Sequence, residues 1–246
     1  MKVIIINNTK FATKYLTISD FNFFHWAFLN LKLFIENMIV LFRFFVICSA
    51  SLVIAICLKM FVFTDGIYFN SLAEKFSYDQ IQTILDNGKK WGWLAYTFIP
   101  IIYFFKCSLV ALCLYAGLFL INCNLEYLKI FNVVVKAEFV FLIPSIVKLI
   151  WFIFLQTSYT LEDIQYFAPL STLSMFTPKS LEPWLIYPLQ VLNIFEIIYW
   201  VVLANLLTKE LPELDMNRSM TVVMASYRTS LVIWVAFVMF LTLTYT

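Results

Sequence analysis

The sequence predicts an all-α fold of the polytopic membrane class, and three observations carry that reading. Hydrophobic residues make up 63% of the 246 and charged residues 13%, against roughly a quarter charged in soluble domains. A soluble core of this length could not hide so much apolar surface, so lipid must cover it. Five stretches, 44–63, 95–121, 131–155, 184–207 and 220–245, each supply the run of about 20 mainly apolar residues that crosses some 30 Å of hydrocarbon. The runs do not alternate in polarity, and strands in their place would leave sheet edges in lipid.

The chain divides accordingly into a cytoplasmic N-terminal segment, 1–43, and a five-helix transmembrane domain, 44–246. The opening "MKVIIINNTK" has too short an apolar run for a cleavable signal, and no small-residue cleavage pattern follows. The chain is therefore expected to be mature as it stands. Next comes "SDFNFFHWAFLNLKLFIENM" (19–38), aromatic and apolar, with Asn22, His25, Lys32 and Glu36 near one helical face. Such a segment is expected to lie as an amphipathic helix in the cytoplasmic interface before turning into the first span.

Between the first and second spans, "SYDQIQTILDNG" reads as a short amphipathic helix. Ser77 and Gln80 have capping-box spacing, and Gly88 stands where a helix would end. Trp91 and Trp93 then serve as belt residues for the second span. The third span, in "FLIPSIV", contains Pro144, which should kink it and free a carbonyl. The loop 156–183 starts with Thr160 as a cap for "LEDIQYF" and breaks at Pro169. The fifth span ends almost with the chain, at "LTLTYT". No internal repeat is visible.

Orientation follows from Lys and Arg in the short loops. Lys2, Lys10, Lys14, Lys32, Arg43, Lys129, Lys136, Lys209, Arg218 and Arg228 fall on the side of the N-terminus. Lys75, Lys89, Lys90 and Lys179 fall on the other. Ten against four puts the N-terminus in the cytoplasm and the C-terminus outside.

Five ionisable residues lie well inside the spans: Lys106, Glu138, Lys148, Glu196 and Arg228. Facing lipid, each would cost about 2.5–3.5 kcal/mol or more at the bilayer centre, so they should turn inward and pair. At about 1.5 Å per residue, Lys106 and Glu196 sit roughly 15 and 16 Å from the outer boundary, with Lys148 roughly 10 Å in. Glu138 and Arg228 sit roughly 10 and 12 Å from the cytoplasmic boundary. The matched depths predict two pairs, Glu196 with Lys106 or Lys148, and Glu138 with Arg228. Gln190, Asn193 and Glu196 recur every third residue and would give the fourth span a polar side. Intramembrane carboxylates also mark proton and ion pathways. Balanced signs favour charges that fix which helices pack together over such a relay.

Catalytic constellations are missing. His25 is the sole histidine, which removes paired-histidine zinc sites, and neither a G-x-S-x-G elbow nor a phosphate loop occurs. Cys48, Cys57, Cys107, Cys113 and Cys123 lie in or beside apolar runs without metal-ligand spacing, and read as buried small hydrophobes. Carboxylates cluster only in loops (Glu162 and Asp163; Glu210, Glu213 and Asp215), where solvated turns are the simpler reading than a metal site. Four glycines argue against glycine-threaded helix interfaces. Scattered basic residues give no nucleic-acid stripe. No enzyme, cofactor or metal is expected.

From the third span onward the chain resembles the Ypt-interacting-protein (Yip/Yif) family of five-span membrane proteins. The resemblance lies in "VVVKAEFVFLIPSIVKLIWF" (133–152), "YPLQVLNIFEIIYWVVLANLL" (187–207) and "MNRSMTVVMASYRTSLVIWVAF" (216–237). The eukaryotic members' long acidic N-terminal region and Asp-Leu-x-Gly-Pro stretch are absent, so their vesicle-traffic role and GTPase binding do not carry over. The Gly-poor, Phe/Ile/Lys/Asn-rich composition is similar to the prokaryotic branch. That resemblance implies an integral membrane protein without a defined role. The favoured expectation is a scaffold or accessory subunit of a bacterial cytoplasmic membrane, contacting the lipid bilayer and other membrane proteins or a second copy. The rival expectation is a small transporter or permease subunit that uses the intramembrane charges.

Overall fold

The computed structural model describes the backbone of 5–245 and the side chains of 31, 34–178 and 180–244. Asn22, His25 and Lys32, the polar residues expected at the interface, lie outside the described side chains. The chain divides into two compact units, 1–45 and 46–246. Helices dominate and no strand occurs among the described residues.

Helix α1, Ile5–Phe61, runs without a break through both the segment expected at the interface and the first span. The physical reason is simple: 5–61 contains neither glycine nor proline, so nothing stops helical hydrogen bonding. Within the first unit, Leu31, Phe34, Met38, Leu41 and Phe42 are all exposed. A helix this apolar is satisfied only inside protein or lipid. Its part Phe34–Phe61 is long and apolar enough to cross a membrane, starting ten residues earlier than expected.

In the second unit, α2 (Asp65–Leu72) was not legible in the sequence, and α3 (Tyr78–Leu120) is longer than expected. The Ser77–Gln80 capping box is formed as the spacing predicts, with the Ser77 amide donating to Gln80 Oε1 at 3.0 Å. Gly88 does not end the helix. A lone glycine costs a helix only about 1 kcal/mol, and no proline follows until Pro100, so the amphipathic piece and the second span fuse. Lys89 pairs with Asp65 at 2.8 Å and ties α3 to α2.

The third rod, Tyr127–Leu155, comprises α4 (Tyr127–Glu138), a 3₁₀ turn (Phe139–Phe141), α5 (Leu142–Ile150) and a π turn (Trp151–Leu155). The departure from α geometry falls one turn before Pro144, where the ring withholds an amide from the Val140 carbonyl. Thr160 caps α6 (Leu161–Tyr166) through a reciprocal bond with Asp163. Beneath the loop, Val62, Phe152 and Ile164 form a satellite core. Tyr159 donates to the Val62 carbonyl at 3.2 Å. Burial pushes its phenol above the ordinary range, so it stays a donor.

The expected fourth span is broken. It consists of α7 (Pro183–Val191) and α8 (Ile194–Glu210), interrupted at Leu192–Asn193. Neither piece is one of the four helices long and apolar enough to cross among the described residues, which are Phe34–Phe61, Tyr78–Leu120, Tyr127–Leu155 and Met216–Thr244. The last rod joins α9 (Met216–Val223), a π turn (Met224–Arg228) and α10 (Thr229–Tyr245). Helix α3 packs on α4 and α9, α4 on α8, α8 on α9, and α7 on α10.

One glycine does mediate a close helix contact. A Cβ on Gly117 of α3 would lie 2.8 Å from Ser226 Cβ in the second π turn. Gly117→Val is therefore expected to cost about 1–3 kcal/mol by overpacking, read as a lower unfolding midpoint in detergent. Adding Ser226→Gly, which removes the atoms in collision, should recover part of the loss. An unchanged midpoint for Gly117→Val would refute the contact.

Candidate functional site

Two buried carboxylates anchor the centre of the second unit, and neither has the partner that depth matching predicts. Glu138 of α4 is fully buried. Its Oε2 pairs with Lys106 Nζ of α3 at 2.8 Å, and its Oε1 accepts from the Tyr199 hydroxyl of α8 at 3.0 Å. The Lys106 ammonium also sits 4.1 Å from the Phe141 ring centroid, a cation–π contact. Three helices thus converge on one acid.

Glu196, 7% exposed, occupies the first turn of α8. Its backbone N–H donates to the Asn193 side chain at 2.8 Å, so Asn193 is the N-cap. The carboxylate Oε1 accepts from Tyr227 at 2.8 Å and from Trp200 Nε1 at 3.0 Å. Tyr199 and Tyr227 meet edge to face, centroids 5.3 Å apart, and so connect the two clusters. Arg228 lies over the Trp200 ring at 5.9 Å rather than beside Glu138. Lys148 donates to the Ile164 carbonyl at 2.6 Å rather than to Glu196.

Span ends were the wrong ruler for the pairing; distance from the connecting turn is the right one. Lys106 lies fourteen residues before the end of α3, and Glu138 eleven after the start of α4. In an antiparallel pair with a short turn these levels nearly coincide, and the lysine stem covers the difference. Glu196 and Tyr227 have the same offsets from the ends of α8 and α9. Tyr199, Trp200 and Tyr227 escaped the sequence reading because only opposite charges were considered as partners. The signal was present: Glu196, Tyr199 and Trp200 stand at i, i+3 and i+4.

The helix break is closed by the loop before it. The Leu192 carbonyl accepts from Thr172 N–H at 2.9 Å and Thr172 Oγ1 at 3.0 Å, and Ile194 N–H donates to the Leu170 carbonyl at 3.1 Å. Leu170 holds a left-handed φ of 55° to do so, a conformation that disfavours a side chain like leucine. Asn193 Nδ2 reaches back to the carbonyls of Gln190 and Val191. Gln190, Asn193 and Glu196 are thus not one helical face, since the helix restarts at Asn193.

Beside the break lies a cavity of about 800 Å³. Glu196, Asn193, Trp200 and Arg228 contribute to its wall, and α10 supplies an apolar side through Leu231, Val235 and Met239. A smaller cavity of about 210 Å³ lies across Ser171 and Asn193, with Lys148, Ser145 and Pro144 in its wall. Of the carboxylates expected in loops, Glu210 instead ends α8 and pairs with Lys136 of α4 at 3.2 Å, and Asp215 caps α9. No cluster of metal-binding side chains occurs among the described residues, and all five cysteines are free. No family model, curated protein or solved structure matches the chain.

The Glu138 cross-brace yields a stability test. Lys106→Met leaves a buried carboxylate without its cation, and should cost about 3–5 kcal/mol. Glu138→Gln added to Lys106→Met removes the stranded charge and keeps an acceptor for Tyr199. The double variant should unfold nearer to wild type than Lys106→Met alone, and additive losses would show that the pair is not coupled.

The cap can be tested separately. Asn193→Ala removes the cap of α8 and two bonds to α7, with an expected loss of about 1–2 kcal/mol. Asn193→Asp restores the acceptor for Glu196 N–H but not those two bonds, and should recover part of it. Equal midpoints for wild type and Asn193→Ala in detergent unfolding would contradict the assignment.

Proposed function

We propose that the protein is a non-enzymatic integral membrane protein with five crossings, acting as a scaffold or accessory subunit in a bacterial cytoplasmic membrane. Its helical, apolar segments are compatible with membrane integration, and four helices have the length and composition to cross. The fifth crossing is the broken pair. Helix α8 lies along α9 while α7 lies along α10, so the pair accompanies the last rod through both of its halves. Together α7 and α8 offer 26 helical residues, enough for about 39 Å at 1.5 Å per residue.

The observation that carries the subunit reading is the enclosure of Glu138. It has no exposed surface, and each of its oxygens is held by a group from a different helix, which suits a brace between helices better than a station for a moving proton or ion. The sequence resemblance of the third, fourth and fifth crossings to the prokaryotic branch of the Yip family supports the integral membrane part of this reading. An N-terminus in the cytoplasm agrees with the distribution of Lys and Arg. The partners are the lipid bilayer and other membrane proteins or a second copy.

The transporter reading is favoured by one specific feature, the interrupted helix beside a cavity, since transporters bind ligands at such breaks. The two are separated by one preparation. Tagged protein extracted in mild detergent should co-purify reproducibly with defined membrane proteins, or with itself, by mass spectrometry. Purified protein that alone moves an ion or solute across vesicle membranes would replace the subunit reading with the transporter one.

A further inference from the structure

The larger cavity has chemistry that the brace does not use. Both donors to Glu196 end on Oε1, and none of the described residues donates to Oε2. Since no buried side-chain polar atom among the described residues lacks a partner, Oε2 must retain access to the cavity. Here is a carboxylate more than nine-tenths buried, with one oxygen committed and the other open. Arg228, on the same wall, makes a cation–π contact with Trp200 but no ion pair or hydrogen bond among the described residues. Its guanidinium donors are open as well.

Trp200 contacts both charges. The indole N–H, at the ring edge, donates to Glu196 Oε1, and Arg228 lies over the ring, 5.9 Å from its centroid. The cavity therefore presents an anion and a cation that meet the same indole, one at its edge and one over its face. A ligand carrying a single charge would match one and leave the other unpaired in a low-dielectric setting, which is costly. A ligand with both an ammonium and an anionic group a few bonds apart satisfies both. The remaining wall, along Leu231, Val235 and Met239 of α10, is apolar and extends well past the two charges. A small soluble zwitterion would leave that wall bare, whereas an acyl chain covers it.

We propose that this cavity binds a phospholipid with an ethanolamine head group, its ammonium on Glu196 Oε2, its phosphate on Arg228, and an acyl chain along α10. The three N–H donors of a primary ammonium suit a carboxylate oxygen. The quaternary ammonium of choline has none, and a glycerol head group has no cation. The inference rests on the reading that the chain is embedded in a membrane, and it holds for a subunit or a transporter alike.

The test uses the full-length, delipidated protein in detergent and native mass spectrometry. The titrants are dioleoylphosphatidylethanolamine, the choline and glycerol analogues, and soluble glycerophosphoethanolamine. The ethanolamine lipid should bind about tenfold or more tighter than either analogue, as a lost charge-assisted bond requires. Glu196→Gln keeps Oε1 as acceptor for Tyr227 and Trp200, so the fold is preserved, and should abolish the preference over choline. Arg228→Gln should weaken the ethanolamine and glycerol lipids alike. Ala236→Phe, which fills the cavity from α10, should weaken all three.

Equal affinity for the ethanolamine and choline lipids, or a preference that survives Glu196→Gln, would overturn the proposal. Soluble head group binding as tightly as the lipid would overturn the acyl assignment and with it the proposal. Co-purification of a membrane partner together with absent lipid preference would leave the subunit reading standing while removing this one. Lipid preference without any partner would do the reverse.

Discussion

Inside a bilayer no water is at hand to complete a half-made polar contact, so each ionised group fixes the position of whatever satisfies it. Glu138 is where this constraint acts most strongly. It has no exposed surface, and its two oxygens accept from Lys106 of α3 and Tyr199 of α8. Moving either neighbour by a helical turn would strand a charge. The buried apolar residues of the same helices, Val134 and Ala137 on α4 and Leu203 and Ala204 on α8, have no such discrimination between registers. Nonspecific burial holds rods of this kind together, and the acid determines which register they adopt. Whether the pair adds net stability is a separate matter, because desolvation offsets much of its attraction.

The interrupted helix obeys the same constraint for backbone groups. Irregular chain at membrane depth persists only where its amides and carbonyls find partners in the protein. Here Thr172 and Leu170 supply them, and Leu170 accepts a left-handed backbone in order to do so. The loop 170–172 is thereby part of the interruption it closes. Restarting the helix at Asn193 also places Glu196 in a first turn, where unpaired amides favour a negative charge. The break therefore helps to hold the acid that forms the cavity wall.

The class of fold was plain from composition because apolar content on this scale admits few alternatives. Both caps with side-chain reciprocity, Ser77 with Gln80 and Thr160 with Asp163, were legible because capping depends on residues three apart. Failures came where an end had to be inferred without a strong stop signal. Gly88 was too weak a breaker to end α3, and nothing between 5 and 61 could break α1. The interruption at Asn193 was hidden because its cause lies in Leu170 and Thr172, some twenty residues away. Of the five ionisable residues expected to turn inward, Glu138 and Glu196 are buried, whereas Arg228 is exposed, and the expected pairs do not form. Depth counted from span ends misleads because those ends lie a few residues from the real helix termini, and opposite charge alone does not reveal phenol and indole donors.

The repeated register has a consequence for how the two acids divide their roles. In both antiparallel pairs the acid meets its partner at the same distance from the turn, and in both the polypeptide leaves α geometry at that level. It does so in the 3₁₀ turn after Glu138 and in the π turn containing Tyr227. A shared level lets the pairs meet through Tyr199 and Tyr227, edge to face. Aromatic contact of this kind transmits position but provides no hydrogen bond between the acids. Glu138 takes a cation on one oxygen and a phenol on the other, and has no exposed surface. Glu196 takes a phenol and an indole on one oxygen, and no cation. The asymmetry follows from the helices that supply the partners: α3 brings a lysine to Glu138, whereas the π turn brings a tyrosine to Glu196 and directs the adjacent Arg228 onto Trp200. A brace and a receptive cavity can therefore lie side by side, because the second acid is held in place without an ion pair.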